Sequence, residues 1–514
     1  MPIIVELIPD AEKRAAQLAV ASAMTCYSGN GIVRLDSQKY EKRREMAERI
    51  RLSTLAAGHN TTRQHQNFTF TLSGISRQVI WSFLHSHPFY NSEQVSQRYV
   101  EVKKANFTTP SNLTEEQETI FQEGLDLTFE AYKKLGEILA QPVADEYYNI
   151  FPARQKRPDI KWQSVIKKKA QEAARYVLPV AAHAYMYHTI SALTLMRMHQ
   201  CADLFNVPTE QRELVNAMVV EVVRQDPSFL SELKELKTYD LESSLEYKLH
   251  QEFVNKDKRV FRTEFDEELG GLHSKLIGYD QNAQATLAKA VRATLQVSKA
   301  DLPDERALEL LLNPKYNTDL GETNNILTFT KLGSAMPVVT YTFQKKLSHS
   351  GDSQNQRHRM TPGVAPIFYL SSEPDVVLPI IVEKNEPAKA YFDETMEKLW
   401  KVIGRLRDAG APEEAVQYLA PNAVAVRLIE QGNLRDLHHK YRMRLCYNAQ
   451  EEIWRASKEE VEQIATVHPT IGKYLLPPCS LRKLAQTGPV CPEGDHYCGV
   501  PVWKLGIGEY ARVI

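Results

Sequence analysis

Arginine carries most of the chemistry this chain could do. Arg357-His358-Arg359, with Gln354 just before it, sets two guanidinium groups and an imidazole into one short passage from strand to loop. That donor set suits the phosphates of a nucleotide or dinucleotide, because a guanidinium forks onto two oxygens at once. A second concentration runs from Asn433 to Arg444. On a helix Asn433 and Arg444 fall on nearly one face, and Arg435 and Arg442 on roughly the opposite one, so such a helix serves two neighbours. Ser96-Gln97-Arg98-Tyr99 and Arg175 lie far away in the sequence.

The positions of these residues make sense once the chain is seen to say one thing twice. Tyr176-Val-Leu-Pro179 sets against Tyr418-Leu-Ala-Pro421. At the same offset Ser191 to Leu195 sets against Asn433 to Leu437, Asn206 against Asn448 and Glu210 against Glu452. Nearer the front, Val5 to Asp10 resembles Lys275 to Asp280, and Phe68-Thr-Phe-Thr71 resembles Leu327-Thr-Phe-Thr330. The copies have lost complementary parts. The first carries Ser96-Gln-Arg-Tyr99 but has His85-Ser86-His87 near where a basic triplet would stand. The second carries Arg357-His-Arg359, followed by Met360-Thr361-Pro362-Gly363 in place of a Ser-x-Arg arm.

Several elements must position these residues. Alanine-rich helical spacing spans Ala11 to Met24 and Gln281 to Val297, and Phe68 to Ser73 alternates like a strand before a turn at Gly74. Leu113 to Leu139 reads as a long amphipathic helix capped by Asn112 or Thr114, with Glu386 to Ala409 as its counterpart. Tyr147 to Lys169 has no partner in the second copy and is expected to be an inserted loop or lid. The expected organisation is a first copy over 1–226, a helical linker over 227–272, a second copy over 273–478 and a Cys-containing tail over 479–514.

The ordered motifs resemble those of the flavin-dependent thymidylate synthases. The first copy shows Gly58-His-Asn-Thr-Thr62, His65, Phe68-Thr-Phe70, Ser96-Gln-Arg-Tyr99 and Ala174-Arg-Tyr-Val-Leu-Pro179. The second shows Arg357-His-Arg359, Asn433-Leu-Arg-Asp-Leu437, Arg444 and Ala449-Gln-Glu-Glu-Ile453. Gln64 departs from the family's usual Glu and Asn448 from its frequent His.

The resemblance implies an α+β fold, a sheet packed with long helices, present here as two tandem copies. It also implies methylation of a uridine nucleotide of the dUMP-to-dTMP type, with FAD as cofactor and NADPH and methylenetetrahydrofolate as co-substrates. By matching position, Arg98, Arg175 and Arg357 would bind nucleotide or flavin phosphates, and Ser96 and Gln354 would take the nucleotide. Arg444 would polarise the uracil ring as negative charge develops on it. His358, Arg359, Asn433 and Arg435 match flavin-binding positions, joined from the first copy by His59, Thr61 and Glu93. Residues of both copies would then complete one composite site. The reciprocal site, with Gln417 for Arg175 and Ala202 for Arg444, would be dead. Since the family builds its sites between subunits of a tetramer, two of these chains are expected to pair as a homodimer forming a pseudo-tetramer. The alternative is a repurposed or non-catalytic flavin- or pyrimidine-nucleotide-binding protein; complementary rather than random losses argue against simple decay.

Composition bounds the remaining classes. The 514 residues suffice for two cores, and a formal net charge of −1 gives no global field for nucleic acid or an anionic membrane. No apolar run reaches membrane-spanning length and Met1-Pro-Ile-Ile-Val-Glu does not start a signal peptide, so the cytoplasm is the expected location. There is no GxxxxGKS, GxGxxG or HExxH motif. Cys479, Cys491, His496 and Cys498, in a tail rich in Pro and Gly, are either four ligands of a tetrahedral zinc site or buried thiols pinning the tail.

Overall fold

The computed structural model describes the chain apart from residues 1–2, 8–14, 26–27, 29–31, 35–41, 57, 59, 105, 157–158, 237–238 and 365. The elements that matter run β1 (Ile4–Leu7), α1 (Ala15–Thr25), α2 (Arg44–Ala56), β2 (Asn67–Ser76), α3 (Arg77–His85), β3 (Asn91–Gln94), α4 (Glu115–Ile150), α5 (Ile160–Ala174), β4 (His183–Ser191), α6 (Ala192–Gln200) and α7 (Thr209–Gln225). They continue with β5 (Ser274–Tyr279), α8 (Ala283–Leu295), β6 (Thr340–Ser348), α9 (His349–Asn355), α10 (Glu386–Asp408), β7 (Ala425–Asn433), α11 (Leu434–Arg444), α12 (Glu451–Val467) and α13 (Pro478–Leu484).

The chain folds as two compact units that interleave its sequence. One comprises 1–113, 180–256 and 412–418; the other comprises 114–179, 257–411 and 419–514. In the first unit an antiparallel sheet runs β1-β2-β4-β3, and in the second β5-β6-β7 repeats the order of the first three. Where β3 would lie against β7 the described residues form a single bridge, Gly363 to Glu430, matching Ser92 on His188 in the first sheet. The second copy has Pro362 there, which cannot donate to a ladder, so the arm that ends in Ser96-Gln-Arg is not built.

The same strand-to-helix junction is used four times. A strand ends in Ser76, Ser191, Ser348 or Asn433, and that side chain accepts the N–H three residues on, from Val79 at 3.0 Å, Thr194 at 3.2 Å, Gly351 at 2.8 Å and Asp436 at 3.1 Å. Each cap satisfies a helix donor that would otherwise be unpaired and contributes about 1 kcal/mol. Alternation along β2, β4 and β7 sends one face inward. Phe68, Phe70, Leu72, Leu195 and Met218 close one core, and Tyr341, Phe343, Leu434, Leu437 and Tyr441 the other.

Three expectations meet the structure here. The long helix opens at Thr114 with a reciprocal capping box to Gln117 and lies antiparallel to α10 in the second unit, Gln117 Nε2 donating to the Ala409 carbonyl at 2.9 Å. Leu327-Thr-Phe-Thr330 is not the second copy's counterpart of β2. Ile326–Phe329 is a 3-10 turn with Phe329 89% exposed, and the true counterpart is β6, where Phe343 faces Glu430 as Phe70 faces His188. A local Thr-Phe-Thr match carries no register; the sheet ladder does.

The described residues of 147–169 are mostly helical rather than an inserted loop. α4 runs on to Ile150, a short turn spans Pro152–Gln155, and Asp159 caps α5 through the Lys161 N–H at 2.9 Å. Its basic character is partly absorbed by aromatic rings: the Arg154 guanidinium lies 3.9 Å from the Phe151 centroid and 4.1 Å from that of Trp162.

Candidate functional site

In the second unit β6 delivers the chain into α9, and α9 ends at the Arg357-His358-Arg359 turn. His358 N–H returns to the Asn355 carbonyl at 3.0 Å and Thr361 N–H to the His358 carbonyl at 2.9 Å. Arg444, the last residue of α11, clamps this turn. Its Nε donates to His358 Nε2 at 2.7 Å and its Nη2 to the Gln354 carbonyl at 2.8 Å. His358 must therefore present a lone pair. Burial, reinforced by Arg444 and Lys440, holds its pKa well below the usual histidine range and keeps the ring neutral.

Arg175 reaches the same place from the end of α5. Its Nη2 donates to Gln450 Oε1 at 2.6 Å, and Gln354 Nε2 donates to that same oxygen. Gln450 Nε2 passes on to the Tyr176 hydroxyl, which donates to Glu452 Oε2. Glu452 also accepts both the N–H and the hydroxyl of the cap residue Ser348 at 2.6 Å. One continuous network thus links Arg444, Gln354, Gln450, Arg175, Tyr176 and Glu452, with Arg175 and Tyr176 contributed by the first copy's sequence.

The first unit holds the same frame without the cations. Glu210 accepts from the Ser76 N–H at 2.8 Å, the Ser76 hydroxyl at 2.7 Å and the Tyr418 hydroxyl at 2.6 Å, the last supplied by the second copy's sequence. At the repeat's offset, Gln417 stands for Arg175, Pro208 for Gln450, Ala202 for Arg444 and His85-Ser86-His87 for the basic triplet. So the Ser-Glu-Tyr frame occurs twice and the cationic set once.

Beneath the turn lies a buried charge cluster that the motif reading missed. Lys345 on β6, Glu430 on β7, Lys440 on α11 and Glu460 on α12 are all fully enclosed. Lys345 Nζ donates to Glu430 at 2.9 Å and Glu460 at 2.7 Å, and Lys440 Nζ to both as well. Burial alone would raise the Glu460 pKa, but the two ammonium groups hold it below the usual carboxylate range. Glu430 Oε2 in turn accepts from Asn355 Nδ2 at 2.5 Å, two residues before Arg357. The sheet ladders set Leu72 and His188 against Lys345 and Glu430, and the repeat's offset sets Met198 and Met218 against Lys440 and Glu460. Two lysines and two glutamates where a repeat otherwise shows apolar residues or a neutral histidine was the available signal.

Comparison with known proteins now identifies the chain's family. The model of the thymidylate synthase complementing protein family, Thy1, matches residues 6–228 and again residues 275–470. The chain belongs to that family, as two copies in tandem. A flavin-dependent thymidylate synthase of Clostridium tetani is 29% identical over 229 residues, 44% of this chain and 83% of that protein. One from Geobacter sulfurreducens is 33% identical over 123 residues, 24% of this chain and 50% of that protein. Among solved structures, the UMP/dUMP methylase PolB of Streptomyces cacaoi bound with 5-Br dUMP matches at a TM-score of 0.32 and 16% identity, over 46% of this chain and 97% of that one.

Other candidate residues of this family member are placed as follows. Arg359 and Gln356 share the triplet's turn region; both ends of the Gln356 amide are out of solvent with no hydrogen-bond partner, the kind of orphaned group that a polar ligand satisfies. Asn433 is held as the cap of α11 by Asp436, and Arg435 pairs with Asp436 at 3.5 Å. Arg442 is buried, its Nη1 donating to the Glu322 carbonyl, so it is a structural arginine. In the first unit Ser96 Oγ accepts the Arg98 N–H at 3.2 Å, and the Arg98 guanidinium lies 5.3 Å from the Tyr99 ring. Arg77 braces that arm through Gln94 at 3.2 Å and the Val95 carbonyl at 2.6 Å. Glu93 on β3 and Thr61 are exposed, and His59 lies outside the described residues. His496 is exposed, whereas Cys479, Cys491 and Cys498 line one cavity together with Cys446.

Glu451, between the network residues Gln450 and Glu452 at the start of α12, supplies a prediction about stability. Burial, with Glu452 adding to it, pushes its pKa up to about 7, and Oε1 is buried with no hydrogen bond. The folded state then holds a proton that the unfolded state has released, so stability falls as pH rises from about 4.5 to about 7, and the penalty is fully present above that. Glu451→Gln is expected to raise stability at pH 8 by about 2–3 kcal/mol and to remove this slope. Urea melts at pH 5 and pH 8 check it. Equal or lower stability of the variant at pH 8 contradicts the assignment.

Proposed function

We propose that this chain methylates a uridine nucleotide in the dUMP-to-dTMP manner, using FAD, NADPH and methylenetetrahydrofolate, at one site in the second unit. The observation that carries this reading is the Arg444–Gln354–Gln450–Arg175 network, assembled from both copies and absent from the matching frame of the first unit. The family membership and the activity for which the relatives are named support the reaction class.

The residues fit an anionic, planar substrate. Arg175 and Arg357 supply guanidinium groups for phosphate, with Gln354 as a neutral hydrogen-bonding neighbour. Arg444, its plane set by His358 and the Gln354 carbonyl, is a fixed cation for negative charge developing on a pyrimidine ring. A neutral His358 accepts from Arg444 and leaves the positive charge there. Arg359, Arg435 and the orphaned Gln356 amide suit the phosphates and polar edge of a dinucleotide, so the second unit fits FAD, which when bound supplies the hydride chemistry. We assign the Ser96-Gln97-Arg98 arm, the one copy of its motif in the chain, to nucleotide binding, and a homodimer to the working assembly.

The test is titration of the purified full chain with FAD and then dUMP, read by visible absorbance, followed by product analysis with NADPH and methylenetetrahydrofolate. Uptake of about one FAD per chain, perturbed by dUMP, and formation of dTMP is the expected result. Uptake of about two per chain would remove the single-site reading. Flavin and nucleotide binding without product would favour a non-catalytic protein.

A further inference from the structure

Four of the chain's six cysteines converge on one point. Cys446 follows α11 two residues after Arg444, Cys479 opens α13, and Cys491 and Cys498 come from the tail. All four line a single cavity of about 10 Å³ in the second unit. That volume is at the lower limit for one water molecule and far too small for an organic ligand. None of the four is in a disulfide. Cys498 Sγ donates to the Val500 carbonyl at 3.6 Å, so that thiol is held at the cavity by its own short turn.

We propose that Cys446, Cys479, Cys491 and Cys498 form a four-thiolate site for one zinc-class divalent cation, fastening the tail to the C-terminal end of α11. Cys446 takes the place that the sequence offered to His496. Among the described residues no group of three or more His, Cys, Asp or Glu side chains holds a metal-binding arrangement as it stands. Binding therefore requires the sulfurs to draw in around the cavity by side-chain rotation, to about 2.3 Å from the ion, with loss of their protons. All four line the one cavity and none is in a disulfide, which is the arrangement a single ion would use. The inference does not depend on the proposed reaction.

The experiment is metal analysis of the full chain purified under reducing conditions, then Co²⁺ titration of the chelator-stripped protein. About one zinc per chain, and a cobalt spectrum with sulfur charge-transfer intensity for four thiolates plus a tetrahedral ligand-field band, is expected. Cys446→Ser should lose one thiolate's intensity and bind more weakly, while His496→Ala should match the parent. Absence of metal together with a featureless cobalt titration overturns the proposal, as does peptide mapping that finds the cysteines paired as disulfides. If Cys446→Ser does not fold, the parent's thiolate count decides: four supports the site, and three or fewer overturns it.

Discussion

Arg444→Ala is expected to lower kcat/KM for the uridine nucleotide by about a thousandfold or more while the protein stays folded. Losing one preorganised donor to a developing anion costs about 2.7–4 kcal/mol, or two to three orders of magnitude, and this arginine also clamps the turn bearing Arg357 and Arg359. The fold should survive, because the first copy carries Ala202 at the corresponding place. Arg444→Lys should rescue little: an ammonium keeps the charge but cannot span His358 and the Gln354 carbonyl in one plane. Turnover, nucleotide affinity and the thermal midpoint measured together separate these effects. Activity within fivefold of the parent would remove Arg444 from the site, and a collapsed midpoint would recast it as structural.

The buried quartet gives the second large effect. Lys440→Met alone should destabilise the protein by about 3–5 kcal/mol, because it leaves Glu430 and Glu460 sharing only Lys345 out of water. Installing the first copy's whole set, Lys345→Leu, Glu430→His, Lys440→Met and Glu460→Met, should recover most of that loss, since the first unit packs Leu72, His188, Met198 and Met218 in a well-closed core. Activity should not return. Asn355 loses the Glu430 carboxylate that fixes it, and the basic turn two residues on loses its footing. Denaturation midpoints and turnover for the two variants decide the matter. A quadruple variant less stable than the single one contradicts the account, and a fully active quadruple variant shows that the charges do not position the turn.

The comparison between the copies explains why the frame occurs twice and the cationic set once. The Ser-Glu-Tyr frame closes the strand-to-helix junction of each unit: Glu210 joins Ser76 to Tyr418, and Glu452 joins Ser348 to Tyr176. Each is a buried polar group whose partners must all be present, so neither copy can drop it cheaply. The cations impose the opposite demand. Clustered guanidinium groups repel one another without an anionic ligand, and in the first unit their positions have become Gln417, Ala202 and His85-Ser86-His87.

The sequence by itself was enough for the repeat, the α+β class and the family. Those follow from ordered motifs and from helix and strand periods, which are local and survive without coordinates. It also placed the long helix, leaving its cap open between Asn112 and Thr114 and ending it at Leu139, where the structure caps it at Thr114 and carries it to Ile150.

Only the tertiary structure decided how these side chains connect. Each unit takes a segment from the other copy's sequence, so Arg175 and Tyr176 meet Gln450 and Glu452, while Tyr418 meets Glu210; no spacing rule reports this. The Thr-Phe-Thr match at 327–330 failed because strand register is set by the ladder and not by three letters. The quartet and the fourth cysteine were out of reach for the same reason. Lys345, Glu430, Lys440 and Glu460 come from four elements, and Cys446 stands well apart in the chain from the tail it meets. A charge or a thiol becomes part of a site only when burial removes its water and leaves another side chain to take its place.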